Sequence, residues 1–234
     1  MKLANQENIK YIDRPENGNV NVDILQYSNI AINKSYLLPK RLIDIIGSLI
    51  GILMLSPLFL IISLLIKIED PKGSVFFKQK RVGKNGRQFE MFKFRSMVTN
   101  AEALLDSLMH RNETTGAMFK MKDDPRVTKI GKFIRKTSID ELPQLWNVLK
   151  GDMSLVGPRP PLVREVAQYN KYEMQRLLVT PGCTGLWQIS GRSKIGFKQM
   201  VELDLNYISR MNFLFDVKII FGTFKVFFGS DDAY

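Results

Sequence analysis

Two adjacent carboxylates, Asp140 and Glu141, and one arginine, Arg159, are the residues whose types and spacing best suit chemistry in this chain. Arg159 lies between Pro158 and Pro160, so it sits on a stiff turn rather than on a flexible face. The planar fork of arginine matches phosphate oxygens bidentately, and acids beside such a group suit metal-assisted chemistry. The combination points to chemistry on phosphate esters.

The position of Pro143 distinguishes two possible helix registers for the acids. Ser138 and Glu141 match a capping box, but Pro143 would then be the fifth helical residue and would break a needed hydrogen bond. With Asp140 as the N-cap, Pro143 falls in the first turn, where N–H groups are unpaired, and the helix dipole would keep Asp140 ionised and nucleophilic. We therefore predict the second register. A purely capping role for the acids, and a structural salt bridge for Arg159, remain open.

A second group of residues has both a functional and an ordinary interpretation. Lys93 and Arg95 alternate with aromatic residues on a predicted strand, so both side chains point to one side, toward a site or toward solvent. Asp204 is a lone acid on an apolar helix, where it could also cap a helix or form an ion pair. His110 and Cys183 are the only histidine and cysteine, which excludes a histidine-rich metal site and an internal disulfide.

Length and charge limit the class of protein. The 234 residues suit one sizeable domain or two small ones. The net charge of +11 favours polyanions as partners: nucleic acid, an anionic membrane surface or phosphorylated substrates.

Residues Ile45 to Ile66 are 22 residues without a charge, which indicates contact with a membrane. A bilayer core of about 30 Å needs about 20 such residues, so a spanning helix is the default interpretation. Pro57, however, cannot donate to the carbonyl of Leu53, which the hydroxyl of Ser56 is placed to satisfy. Basic residues on both flanks are also awkward for one span, since cytoplasmic segments hold the excess of positive charge: Lys34, Lys40 and Arg41 before it, and Lys67, Lys72, Lys78, Lys80, Arg81 and Lys84 after it. We therefore predict a re-entrant helix–break–helix hairpin, broken at Ser56-Pro57, ahead of a spanning helix.

Three segments follow from this pattern: a polar N-terminal tail at 1–39, a membrane element at 40–68, and a domain at 69–234 that carries the candidate site. We predict an α+β, mostly helical fold around a small strand element. Strands are expected within 69–98, with a hairpin-like turn at 83–86, and helices at 101–109, 144–150, 162–179 and 201–209. Residues 211–228 are apolar, and their three charges (Asp216, Lys218 and Lys225) suggest one polar stripe on either an interfacial helix or an ordinary packed helix.

Nine motifs, in order from about residue 40 to the C-terminus, resemble those of the bacterial sugar transferase family, the monotopic phosphoglycosyl transferases. They are Lys40-Arg41-x-x-Asp44, Leu55-Ser56-Pro57, Lys93-Phe94-Arg95-Ser96-Met97, Asp140-Glu141, Gly151-Asp152-Met153-Ser154, Gly157-Pro158-Arg159-Pro160, Pro181-Gly182-x-Thr184-Gly185, Gln188-x-x-Gly191-Arg192 and Glu202-Leu203-Asp204.

The resemblance implies a reaction. Asp140 would attack the β-phosphate of a UDP-sugar and expel UMP, and polyprenol (undecaprenyl) phosphate would then take the phosphosugar from the enzyme in a ping-pong cycle. Asp140 and Glu141 would be the catalytic residues and would lie beside a Mg²⁺ ion. The implied substrate-binding residues are Lys93, Arg95, Arg159, Arg192 and Asp204.

The resemblance also implies a setting. The Ser56-Pro57 break would be that of a monotopic protein at the cytoplasmic face of the bacterial inner membrane, in contact with lipids and not with nucleic acid. Its step would begin exopolysaccharide or capsule assembly, with glucose or galactose favoured as the sugar over N-acetylated sugars. A homodimer and contacts with downstream glycosyltransferases are possible. The competing hypotheses are a basic, non-enzymatic scaffold at the membrane surface and a metal-dependent lipid phosphatase.

Overall fold

A computed structural model describes residues 33–111, 121, 123–191 and 195–229. Most of the predicted N-terminal tail and the predicted site residue Arg192 lie outside this part of the chain. The first helix, α1, runs from Lys34 to Glu69, so it begins six residues before the predicted start of the membrane element.

Helix α1 is continuous through Pro39 and Pro57, so the predicted division into two helices at Ser56-Pro57 is not confirmed. The local prediction is confirmed: the hydroxyl of Ser56 donates to the carbonyl of Leu53 at 2.8 Å, which satisfies the acceptor that Pro57 leaves without a donor. Within the described residues, α1 alone is long and apolar enough to cross a membrane.

One face of α1 packs against the rest of the chain, and the other is apolar and exposed. A Cβ at Gly47 would lie 2.7 Å from Leu155 Cδ1, and one at Gly51 would lie 3.1 Å from Leu145 Cδ1. Further along, Ile62 and Ile66 are buried in a small core. The opposite face exposes large apolar side chains, among them Leu53, Met54, Leu60 and Leu64.

The strands form two small sheets. Strands β1 (Phe76–Val82) and β2 (Gln88–Phe94) pair antiparallel. The predicted turn at 83–86 is confirmed, with Asn85 and Gly86 at positive φ. Strands β3 (Ser154–Val156) and β4 (Gly182–Thr184) pair in parallel.

The remaining described helices surround these sheets. They are α2 (Leu105–Leu108), α3 (Lys129–Lys136), α4 (Gln144–Lys150), α5 (Val163–Val166), α6 (Lys171–Met174), α7 (Leu186–Ile189), α8 (Phe197–Arg210) and α9 (Phe213–Gly229). The predicted helices at 144–150 and 201–209 are confirmed by α4 and α8. The one predicted at 101–109 is reduced to α2 and a following 3₁₀ turn.

The single long helix predicted at 162–179 is wrong. Asn170 has extended backbone angles and its side chain accepts hydrogen bonds from the N–H groups of Tyr172 and Glu173, while Glu173 bonds back to the N–H of Asn170. This capping box starts a new helix, so the segment divides into α5, α6 and a 3₁₀ turn.

The polar stripe predicted along α9 is also wrong. Asp216 is buried and faces inward, where it accepts hydrogen bonds from Tyr36 and Tyr207 and forms an ion pair with Lys40. Lys218 is exposed. The exposed face of α9 also carries the apolar side chains Phe213, Leu214, Phe221 and Phe224.

Candidate active site

The two acids lie on a single 3₁₀ turn, Ile139–Glu141, between α3 and α4; we call it the dyad turn. The predicted N-cap, Asp140, is wrong, and the alternative, Ser138, does not cap α4 either. Helix α4 begins only after Pro143, and Ser138, which has φ 53°, makes no capping bond with its side chain. Asp140 therefore precedes the helix instead of capping it.

Burial determines the acidity of Asp140. Its side chain is buried, and burial raises its pKa to about 6, with the charge of Glu141 adding to the rise and that of Lys93 opposing it. The predicted role of the helix dipole is wrong, because Asp140 does not stand at the start of α4. A carboxylate with a pKa near 6 is largely ionised at neutral pH and is a stronger base than an ordinary aspartate.

Glu141 differs from its neighbour. Its Oε1 lies 2.6 Å from the ammonium nitrogen of Lys93 on β2. Desolvation by itself would raise the pKa of Glu141, but Lys93, then Arg159 and Arg81, outweigh that effect and the pKa is lowered. The two acids therefore have pKa values pushed apart, the pattern of carboxylates with different roles in one site.

Arg81 is a site residue that sequence reasoning counted only among the charges flanking the membrane segment. Its buried guanidinium donates to the carbonyl of Pro160 at 2.9 Å, and the N–H of Val82 donates to Pro161. Burial, followed by the charge of Arg159, lowers the pKa of Arg81 to about 10. Arg81 thus fixes the turn that carries Arg159 and adds positive charge beside Glu141.

Asp204 is not placed to bind a substrate directly. Its side chain is 1% exposed and accepts hydrogen bonds from Arg176 Nε at 2.8 Å and Nη2 at 2.7 Å. Arg176 also donates to the hydroxyl of Tyr169 at 2.6 Å and to the backbone carbonyl of Arg159 at 3.3 Å. Burial raises the pKa of Asp204 to about 6 against the pull of Arg176. Asp204 therefore acts through Arg176, which sequence reasoning missed, to hold the turn of Arg159.

Lys93 and Arg95 have different partners, although the strand alternation predicted that both side chains point to the same side. Arg95 is largely buried and forms an ion pair with Asp70 at 2.8 Å, just beyond the C-terminal end of α1. Of the predicted substrate-binding residues that the structure describes, Lys93 and Arg159 are the two whose charges act on the dyad turn.

The donor set of the dyad turn fits a magnesium ion that arrives with a phosphorylated substrate. No group of three or more His, Cys, Asp or Glu side chains is arranged to hold a metal among the described residues. Mg²⁺ is commonly bound by only one or two carboxylates together with substrate phosphates. The mutual repulsion of Asp140 and Glu141, which contributes to the raised pKa of Asp140, is what such a cation would relieve.

Comparisons with known proteins agree with the motifs. The family model "Bacterial sugar transferase" matches residues 35–230. "Galactosyl transferase CpsE" of Streptococcus agalactiae is 48% identical over 228 residues, which is 89% of this chain and 50% of that protein. "Undecaprenyl-phosphate galactose phosphotransferase" of Salmonella typhimurium is 42% identical over 217 residues, 91% of this chain and 45% of that protein.

A third relative, "Exopolysaccharide production protein ExoY" of Rhizobium meliloti, is 39% identical over 199 residues, 83% of this chain and 88% of that protein. The chain thus spans about half the length of the first two relatives and most of the third. The chain belongs to the bacterial sugar transferase family.

Proposed function

We propose that this protein transfers a sugar 1-phosphate from a UDP-sugar to undecaprenyl phosphate, as the first membrane step of exopolysaccharide or capsule assembly. The observation that supports the proposal is a buried Asp140 with a raised pKa, beside Glu141 and its ion pair with Lys93. The names of the relatives support the substrate class.

In the first half-reaction an oxygen of Asp140 attacks the β-phosphorus of the UDP-sugar. A bond forms between that oxygen and phosphorus, and the bond from the β-phosphorus to the bridging oxygen breaks, so UMP leaves. In the second half-reaction an oxygen of the lipid phosphate attacks the same phosphorus. The bond to Asp140 then breaks, the carboxylate is restored, and the sugar diphospho-lipid departs.

The surrounding charges suit this chemistry. Lys93 and Arg159 would bind the diphosphate oxygens, and Arg81 would keep the turn of Arg159 in place. Glu141, with Asp140 beside it, would hold Mg²⁺, which neutralises charge on the diphosphate. The charges of Lys93 and Arg159 lower the pKa of Glu141 against the effect of burial, which favours the anionic form that binds a cation.

The lipid acceptor requires that the site stand at the membrane surface, and we propose that α1 enters and leaves the membrane on one side. Both ends of α1 are bound to the same folded unit: Lys40 to Asp216, and Asp70 to Arg95. A spanning helix would place its ends about 30 Å apart, on opposite sides of the bilayer. Pro57, with Ser56 satisfying the freed carbonyl, is the place where such a helix can bend.

Topology is tested with two single cysteines, Lys34→Cys and Lys72→Cys, in a Cys183→Ser background. Both positions are exposed and lie on either side of the apolar segment. In intact spheroplasts we expect an impermeant maleimide to label neither position, and in permeabilised cells to label both. Labelling of one position alone in spheroplasts would show a spanning helix.

The reaction is tested by intact-protein mass spectrometry in detergent with Mg²⁺ and a panel of UDP-sugars, without undecaprenyl phosphate. We expect a phosphosugar adduct, of glucose or galactose, that is absent from Asp140→Asn. Release of inorganic phosphate from the lipid would instead indicate a phosphatase. Folded protein that forms no adduct with any donor would remove Asp140 as the nucleophile.

Adduct formation should depend on pH through Asp140. Only the ionised carboxylate attacks, so the rate should rise about tenfold per pH unit below the pKa near 6 and level off above it. Rapid-quench measurement of adduct formation from pH 4.5 to 8 checks this. A midpoint near the ordinary aspartate value of about 4 would mean that the bound cation and donor outweigh the effect of burial on the pKa of Asp140.

A further inference from the structure

Arg41, in the motif Lys40-Arg41-x-x-Asp44, has no role in the reaction just described. From α1, its Nη1 donates to the carbonyl of Val148 at 2.6 Å and its Nη2 donates to that of Leu149 at 2.8 Å. Both carbonyls belong to the last turn of α4, where the N–H groups of a further helical turn are missing. The carbonyl of Val148 also accepts from the N–H of Gly151 at 3.0 Å. A cation at this end also complements the helix dipole. Arg41 is therefore a C-terminal cap supplied to α4 by another helix.

At the other end of α1, Glu69 caps the N-terminus of α3 with a negative charge. The carboxylate of Glu69 accepts from the N–H of Lys129 at 2.7 Å and from that of Ile130 at 3.1 Å. These are the first two N–H groups of α3, which has no acid in its own first turn. Thr128 satisfies the third, that of Gly131. Glu69 thus supplies the negative charge that the N-terminus of α3 favours.

Between these two caps lies the dyad turn. Helix α3 leads into it and α4 follows it, and Ile139 packs against the core that contains Ile62 and Ile66 of α1. Gly51 lies against Leu145 at the start of α4. Helix α1 therefore contacts the segment from α3 to α4 at several points between Arg41 and Glu69, with a charged side chain at each end of this contact.

We propose that Arg41 and Glu69 are positioning residues that fix the dyad turn relative to the membrane helix, and so set the height of Asp140 at the lipid surface. The inference rests on the proposed function, in which one substrate is soluble and the other is held in the bilayer. A wrong height should leave the reaction with the soluble donor intact and impair the reaction with the lipid. A misplacement of about 1 Å can cost a reaction about 10²-fold.

The two half-reactions are measured separately in lipid nanodiscs: adduct formation from the UDP-sugar identified above, and transfer of the adduct to undecaprenyl phosphate. For Arg41→Met and Glu69→Gln we expect adduct formation within about threefold of wild type, and a transfer rate lowered by at least tenfold. Arg41→Lys should recover part of the transfer rate, since an ammonium can cap one carbonyl but lacks the fork that serves two.

Matched controls are Arg210→Met and Glu90→Gln, which remove the same charges from exposed positions. Both should react as wild type does. Hydrogen exchange at the Lys129 and Ile130 amides should accelerate in Glu69→Gln and not in Glu90→Gln, whether or not the enzyme turns over.

Three outcomes overturn the inference: transfer unchanged in both variants, both half-reactions lowered in proportion to the folded fraction, or no change in exchange at those amides. Failure of the proposed function looks different. In that case the wild type forms no adduct with any donor, while the exchange result still decides whether Glu69 caps α3.

Discussion

Asp140→Asn should abolish turnover, with a loss of about 10⁴-fold or more, as expected for removal of a covalent nucleophile. The amide is nearly the same size as the carboxylate, so the dyad turn and the ion pair of Glu141 with Lys93 should persist. The measurement is the rate of sugar diphospho-lipid formation together with the mass of the protein. Residual turnover above about 1% with no adduct would indicate direct transfer between the substrates.

The same substitution should make the protein more stable at neutral pH. The pKa of Asp140 is higher in the folded state, about 6, than its ordinary value of 3.8, so ionisation costs folding free energy as pH rises through that interval. About two pKa units correspond to about 3 kcal/mol. Urea unfolding in detergent should therefore show Asp140→Asn equal to wild type near pH 4 and up to about 3 kcal/mol more stable above pH 7. A variant less stable at every pH would show that Asp140 contributes mainly through its attraction to Lys93 and Arg135.

Arg176→Met should have the largest effect on stability. It leaves the Asp204 carboxylate, 1% exposed, without its partner, and breaking a buried ion pair in this way costs about 3–5 kcal/mol of the free energy of unfolding. Turnover per folded molecule should also fall, because the carbonyl of Arg159 loses its donor. Denaturant unfolding and transfer assays on the same preparations measure both effects.

Two further variants separate the causes. Arg176→Met combined with Asp204→Leu removes both charges and should recover most of the lost stability without restoring turnover. Tyr169→Phe removes only the hydroxyl that accepts from Arg176 and should cost about 1 kcal/mol. If the double variant regained full turnover, the network would serve stability alone and would not position Arg159.

The sequence predicted those features that depend on neighbours in the chain. The hairpin turn, strand β2 and helix α4 follow from short patterns, and so does the bond of Ser56 to Leu53. The family resemblance also predicted that Lys93 and the two acids share one site, although they are far apart in the sequence. Local patterns alone could not have predicted this.

What sequence reasoning missed depends on distant partners. Arg81 binds the carbonyl of Pro160, and Arg176 is defined by Asp204, 28 residues away. Asp216 looked like part of a polar stripe because its buried partner Lys40 lies 176 residues earlier. The raised pKa of Asp140 likewise depends on burial, for which the local pattern of acids carries no signal.

Gly47 and Gly51 divide the surface of α1 into two regions with different freedom to change during evolution. On the exposed face, which the proposed function turns toward lipid, the large apolar side chains are mostly exposed, so one can replace another with little effect. On the glycine face, an added methyl group would lie 2.7 Å from Leu155 of β3 or 3.1 Å from Leu145 of α4, so either that leucine side chain or α1 itself would have to shift. The exposed face of α1 is therefore free to drift in sequence, while two residues without side chains help to set the distance of α1 from β3 and from α4, the helix that follows the dyad turn.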